Sequence, residues 1–129
     1  GYQFHYLLEN LSIYENCLAA NFGVDNGNID VTLKKLGIAK IKNKLPSKVS
    51  GGEKQRASIA RAISKKPNIL ILDEPTGNLD QENSLKVQDF LLDYAKENDS
   101  LVIYATHDIS FAKRAYKSLN IMKGSLVEA

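Results

Sequence analysis

The stretch "NILILDEPTGNLD", residues 68–80, decides how the other residues of this 129-residue chain read. An apolar run of Ile and Leu ends abruptly in two adjacent acids, Asp73 and Glu74, and then a proline, Pro75. The run has the pattern of a buried parallel strand, and the carboxyl ends of such strands are where open α/β sheets bind ligands. In phosphoryl transfer, an acid after an apolar strand holds magnesium through water while a second acid orients or deprotonates the nucleophile. An Asp-Glu pair at a strand end also fits a plain solvated turn. The "TGNLD" that follows adds a third acid, Asp80, placed to cap a helix beginning at Gln81.

Working outward toward the C-terminus, "LVIYAT" (101–106) is a second β-rich apolar run. Between the two runs, residues 81–97 carry Val87, Phe90, Leu91 and Tyr94 at helical spacing. This is a strand, helix, strand crossover, and it makes the chain α/β with a parallel sheet. The second run delivers His107 to the same kind of edge, where a neutral imidazole either hydrogen-bonds a phosphate oxygen or is only a polar loop residue. "SLNIMKGSLVEA" (118–129) predicts two short strands joined at Lys123 and Gly124.

Toward the N-terminus the pattern is helical: one helix from Ser12 to Asn21, one from near Asn28 to Gly37, and one opened by Ser50. In "KVSGGEKQRASIARAI" (48–63), Ser50 caps the helix, Gly51 and Gly52 let the backbone approach a partner, and Ala57, Ile59, Ala60 and Ile63 form the apolar face. An anion suits the mouth of such a helix. Ser50 followed by Glu53 reads equally as an ordinary capping box. Near the start, Gln3 sits among aromatic and apolar residues, where its amide either reaches a metal-bound water or fills a polar niche.

Composition narrows the class. A hydrophobic content of 43% suits one modest domain or part of a larger one. No apolar run approaches the roughly 20 residues of a membrane helix, and the first residues lack the basic and apolar regions of a signal segment. The single cysteine, Cys17, can form no internal disulfide and has no second Cys nearby for a metal cluster, which points to the cytoplasm and to Cys17 as a helix-face residue. Net charge is only +2, yet residues 34–66 hold eleven Lys or Arg against one acid, Glu53. Aromatic residues are not interleaved with those charges, so the stretch reads as a solvated face near a phosphate site rather than a surface for single-stranded nucleic acid.

In order and spacing, "VSGGEKQRASIARAI", "ILILDEPTGNLD" and "TH" resemble the signature motif, Walker B strand, D-loop and switch histidine of ABC-type ATPases. "YQFHYLLENLSIYENC" resembles the Q-loop and the start of the helical subdomain, so the resemblance covers essentially the whole chain. The "PTGNLD" form is most similar to the branch that powers lipoprotein release, macrolide or peptide export and bacteriocin export. The resemblance implies a partial P-loop NTPase-like parallel sheet (about 67–129, the C-terminal part of the catalytic core) with an N-terminal helical signature subdomain (about 4–66). It implies ATP and Mg2+ as cofactors, with Asp73 supporting the metal and Glu74 the general base for the attacking water. Gln3 would touch metal and water, His107 would bind the γ-phosphate, and Asp80 would reach across a dimer interface. Ser50, Gly51 and Gly52 would contact the γ-phosphate of ATP held by a second subunit.

The implied partners are a second nucleotide-binding domain, in a homo- or heterodimer, and a transmembrane permease, with the protein at the cytoplasmic face of the cell membrane and no nucleic acid involved. DNA-repair and chromosome-maintenance ATPases share the signature and Walker B motifs, but they place a long coiled coil between nucleotide motifs, and residues 3–50 carry no sustained heptads. A translation-associated ABC protein and an inactive interaction module are further readings, and Glu74 and His107 argue against the last. Nothing in the sequence matches G-x-x-x-x-G-K-[ST], the loop that cradles phosphates. The expectations are therefore that the 129 residues alone bind ATP weakly and are inactive, and that their uncovered strands self-associate through the sheet edge.

Overall fold

The computed structural model describes residues 7–129. Three helices come first: α1 (Ile13–Ala20), α2 (Asn28–Lys35) and α3 (Gly51–Ile63), with short 3-10 turns at Ala39–Ile41 and Pro46–Lys48 between the last two. Ser12 opens α1 and Ser50 opens α3, each with a complete capping box: the serine hydroxyl accepts from the Glu15 or Glu53 amide, and that glutamate accepts from the serine's own amide. Each such cap is worth about 1 kcal/mol. The apolar faces of the three helices meet through Ile13, Cys17, Ile29, Leu33 and Leu36, and through Ala57, Ile59, Ala60 and Ile63 of α3, all nearly inaccessible to solvent. Cys17 is thus on a helix face, as expected, and that face is inward. Burial pushes its thiol pKa up, which keeps it protonated and unreactive.

Asn16 is buried beside Cys17 and is fully used: its side chain accepts from the Leu8 amide (2.6 Å) and donates to the carbonyls of Leu8, Leu11 and Ser12. These bonds fasten residues 8–12 onto the start of α1 and satisfy backbone groups that the turn leaves unpaired.

Next come β1 (Ile69–Asp73), α4 (Gln81–Glu97) and β2 (Leu101–Ala105), with β1 and β2 pairing in parallel from Ile69↔Leu101 to Asp73↔Ala105. A short α5 (Ile109–Lys113) leads into the antiparallel hairpin β3 (Leu119–Met122) and β4 (Ser125–Glu128), whose turn is made by Lys123 and Gly124, both at positive φ. Alternation along the parallel strands puts Leu70, Leu72, Val102 and Tyr104 against the core, where Val87, Leu91 and Tyr94 of α4 and Phe111 of α5 meet them. Phe90 is only half-buried, at the margin of the helix's apolar face.

The two strands are apolar enough to be covered on both faces but are covered on one only, in line with the expectation that they are left partly uncovered. Ile69, Ile71, Leu101 and Ile103 are 58%, 73%, 55% and 48% exposed, because among the described residues no element packs against that side of the sheet. The basic stretch also divides. Lys34, Lys35, Lys40, Lys44, Lys48, Lys65 and Lys66 face solvent, and Lys42 pairs with Asp30 at 3.0 Å. Arg56 instead turns inward.

Candidate functional site

The parallel register sets β1 and β2 level at their carboxyl ends, and this brings Glu74 and His107 together from 33 positions apart. The Glu74 amide continues the ladder by donating to the Ala105 carbonyl at 2.8 Å. One carboxylate oxygen, Glu74 Oε1, accepts from the His107 amide at 2.8 Å and lies 3.4 Å from His107 Nε2. The imidazole itself is fully exposed, whereas the Glu74 side chain is 22% exposed. Asp73 is exposed at the strand end, and among the described residues its carboxylate makes no hydrogen bond or ion pair. A cleft of about 670 Å3 opens here, lined by Glu74, Thr76, Gly77, His107 and Asp108 on the strand side and by Ser84 and Gln88 of α4.

His107 is held on a short strap between β2 and α5. Asp108 caps α5 by accepting from the Phe111 amide (3.1 Å), and it also accepts from the Ser110 hydroxyl (2.7 Å). The Ser110 hydrogen bond, followed by the Phe111 one, lowers the Asp108 pKa. Because the folded-state value lies below the unfolded one, this cap is fully effective above the ordinary aspartate range and is lost only as pH falls through the lowered value.

The turn between β1 and α4 is the second part of the site. Asp80 Oδ1 accepts from the Asn83 amide at 2.8 Å, so the third acid caps α4 as the sequence suggests while remaining exposed. Glu74 has φ +47, a left-handed conformation that costs a residue with a Cβ about 1–2 kcal/mol. Such outliers cluster at sites where the surroundings hold them in place.

Those surroundings include two residues of α3: Gln55, for which the pattern offers no role, and Arg56, which the pattern places on a solvated basic face and the fold turns inward. Gln55 is 6% exposed; its Nε2 donates to the Glu74 carbonyl at 2.6 Å and its Oε1 accepts from the Asn78 amide at 3.3 Å. Arg56 is 7% exposed and donates to the Gly52 and Leu36 carbonyls and to Asn83 Oδ1. A signal for both was present: Gln55 and Arg56 precede Ile59 and Ala60 by four residues each, so two polar side chains stand on an apolar helix face.

The two glycines at the mouth of α3 have separate reasons. A Cβ on Gly52 would meet Leu79 Cδ2 at 3.1 Å and the Asn78 carbonyl oxygen at 3.5 Å, so the 74–80 turn packs directly on this backbone. A Cβ on Gly51 would meet nothing, which leaves that side of the mouth open. The capping box does not use every donor at this mouth. Ser50 Oγ accepts from Glu53, but its hydroxyl proton and the first amides of the helix have no acceptor within α3. Ser50, Gly51 and Gly52 do not line the cleft beside Glu74. Gln3 lies outside the described residues.

Adjacent parallel strand ends bearing a carboxylate, a histidine and a free second acid, beside a glycine-opened helix mouth, define an α/β domain with the layout of an ATP-binding cassette. The family model described as ABC transporter matches residues 2–77. The chain belongs to the ABC transporter family. It is 38% identical over 99% of its length to the lipoprotein-releasing system ATP-binding protein LolD of Neorickettsia sennetsu and 40% identical over 97% to LolD of Ehrlichia ruminantium, covering 60% and 58% of those proteins. The dimeric ATP-binding cassette MJ0796, solved in a post-hydrolysis state with ADP and Pi, superposes with a TM-score of 0.84 at 27% identity over 97% of this chain and 58% of that one. The chain therefore spans about 60% of the length of the relatives it matches. Among the described residues, no helix is long and apolar enough to cross a membrane.

Proposed function

We propose that this chain is part of the ATP-binding and ATP-hydrolysing subunit of an ABC transporter of the lipoprotein-release and export branch, driven by ATP-dependent dimerisation. The observation that carries the reading is the Glu74 carboxylate facing His107 across the ends of two parallel strands. Glu74 is then the general base for the attacking water, and His107 binds the γ-phosphate with its exposed imidazole. Asp73 supports Mg2+ through water, and its unengaged carboxylate fits that task. Among the described residues no group of three or more His, Cys, Asp or Glu could hold a metal ion. When bound, magnesium supplies charge neutralisation on the phosphates. Gln3 would approach the same metal and water.

Ser50, Gly51 and Gly52 would close on the γ-phosphate of ATP held by a second nucleotide-binding domain, with Asp80 at that interface. Their separation from the chain's own cleft supports this arrangement. The division of labour follows the helical part, about 4–66, and the catalytic part, about 67–129. A permease in the membrane would place the subunit at its cytoplasmic face, and substrate choice would lie with that partner. In the full-length protein, Ser50→Arg is expected to abolish ATP-driven dimerisation, read by light scattering in a hydrolysis-deficient background, while each chain still binds Mg-ATP. Dimerisation at the parental nucleotide concentration would remove the mouth of α3 from the interface.

The 129 residues taken alone are expected to bind Mg-ATP weakly, because they contain no G-x-x-x-x-G-K-[ST] loop, and to self-associate, because Ile69, Ile71, Leu101 and Ile103 leave one apolar sheet face open. Light scattering with intact mass checks this. A monomer of 14.3 kDa with a cooperative unfolding transition would show that the chain shields those strands by itself.

A further inference from the structure

Gln55 bridges two functional stretches that lie far apart in sequence. It stands in the second turn of α3, five residues after the Ser50 cap, and both ends of its amide are spent on the turn after β1. One end takes the carbonyl of Glu74 and the other the amide of Asn78, so a single planar group spans the turn that carries both Glu74 and the approach to Asp80. The bond to Glu74 falls on the residue with left-handed backbone, φ +47. Rotating that peptide back to ordinary φ would move the Glu74 carbonyl away from Nε2 and swing the carboxylate relative to His107. The Gln55 amide is nearly inaccessible, so no water can replace the bonds without opening the helix from the turn. The contact of Gly52 with Leu79 and Asn78 closes the same joint from the other side.

We infer that Gln55 is a positioning residue for Glu74: it holds the Glu74 peptide in its left-handed state and so keeps the carboxylate aimed at the strand end shared with His107. The same tether joins the helix whose mouth would serve the partner's nucleotide to the base of the chain's own site. The inference rests on the reading of Glu74 as general base.

The test uses the full-length protein with Gln55→Met, which keeps the length of the side chain and removes both hydrogen bonds. The expected result is a kcat lower on the order of 10- to 100-fold, as for a misplaced reacting group, with the KM for ATP and nucleotide-driven dimerisation unchanged. In a Glu74→Gln background the same substitution is expected to change the residual rate by less than about 2-fold, because the group it positions no longer acts. Gln55→Leu, which likewise removes both hydrogen bonds and adds no charge, is expected to show the same split and serves if the methionine variant folds poorly. An unchanged kcat, or an equal fractional loss with and without the Glu74 carboxylate, would overturn the positioning role and leave the general-base reading standing. Parental turnover in the Glu74→Gln protein itself would remove both.

Discussion

Replacing Glu74 with glutamine in the full-length protein is expected to lower ATP turnover on the order of 100-fold or more, with nucleotide binding and ATP-driven dimerisation retained. Glutamine has the volume of glutamate, and its carbonyl oxygen can still accept from the His107 amide, which now bonds Glu74 Oε1 at 2.8 Å. The 670 Å3 cleft therefore keeps its shape. What disappears is the proton acceptor. A water attacking phosphorus must lose its proton, and among the described cleft residues the carboxylates are Glu74 and Asp108, of which Asp108 is engaged in capping α5. Phosphate release at saturating Mg-ATP, measured beside calorimetric binding of the nucleotide, separates the two effects. Turnover at the parental rate would show that Glu74 is not the base.

The largest effect on stability is expected from Phe111→Ala, at about 3–5 kcal/mol. Phe111 is fully buried, and its ring stacks on Tyr104 with centroids 4.0 Å apart and planes 7° from parallel. The Tyr104 hydroxyl donates to the Phe111 carbonyl at 2.8 Å, so ring and backbone together lash α5 to β2. Burial is also what raises the Tyr104 pKa. Since the His107 strap runs between these two elements, losing the ring removes both core packing and the anchor behind the site. Denaturant unfolding of the full-length protein gives the loss directly. A cost below about 1 kcal/mol would mean that the neighbouring side chains collapse into the space the ring leaves.

Much of this layout was legible in the one-dimensional pattern because the rules involved are local. Ser50 followed three residues later by Glu53 predicted the opening of α3, and the helix read from Ser12 opens there too, each with a capping box. Asp80 was placed as the cap of α4, and its carboxylate accepts from Asn83 as that position demands. The two apolar runs with a helix between them predicted the parallel pair β1–β2. The hairpin turn at Lys123 and Gly124 also lies where the break in the pattern put it. In each case the interacting groups lie within a few residues of one another, or a connection of fixed length leaves one pairing available.

Other features depend on contacts between distant residues, which periodicity does not encode. The pattern gives Gln55 no role and puts Arg56 on a solvated face, because what makes them matter is the Glu74 carbonyl and the Leu36 carbonyl, 19 and 20 residues away. The strands are apolar enough for cover on both faces, but which of their side chains stay open depends on which elements pack there, and Ile71 is 73% exposed.

The sequence by itself determined the succession of helices and strands, the caps, the parallel crossover and the identity of the acids and histidine at the strand ends. Each follows from side-chain chemistry acting over one or two turns. The tertiary structure alone decided that one Glu74 oxygen faces His107, that Glu74 takes a left-handed backbone held by Gln55, and that the helix mouth at Ser50 lies outside the chain's own cleft. Those outcomes turn on how the register of two strands and the packing of α3 on the 74–80 turn fix atoms to within an ångström, and only the closed network of backbone hydrogen bonds and buried side chains sets distances that small.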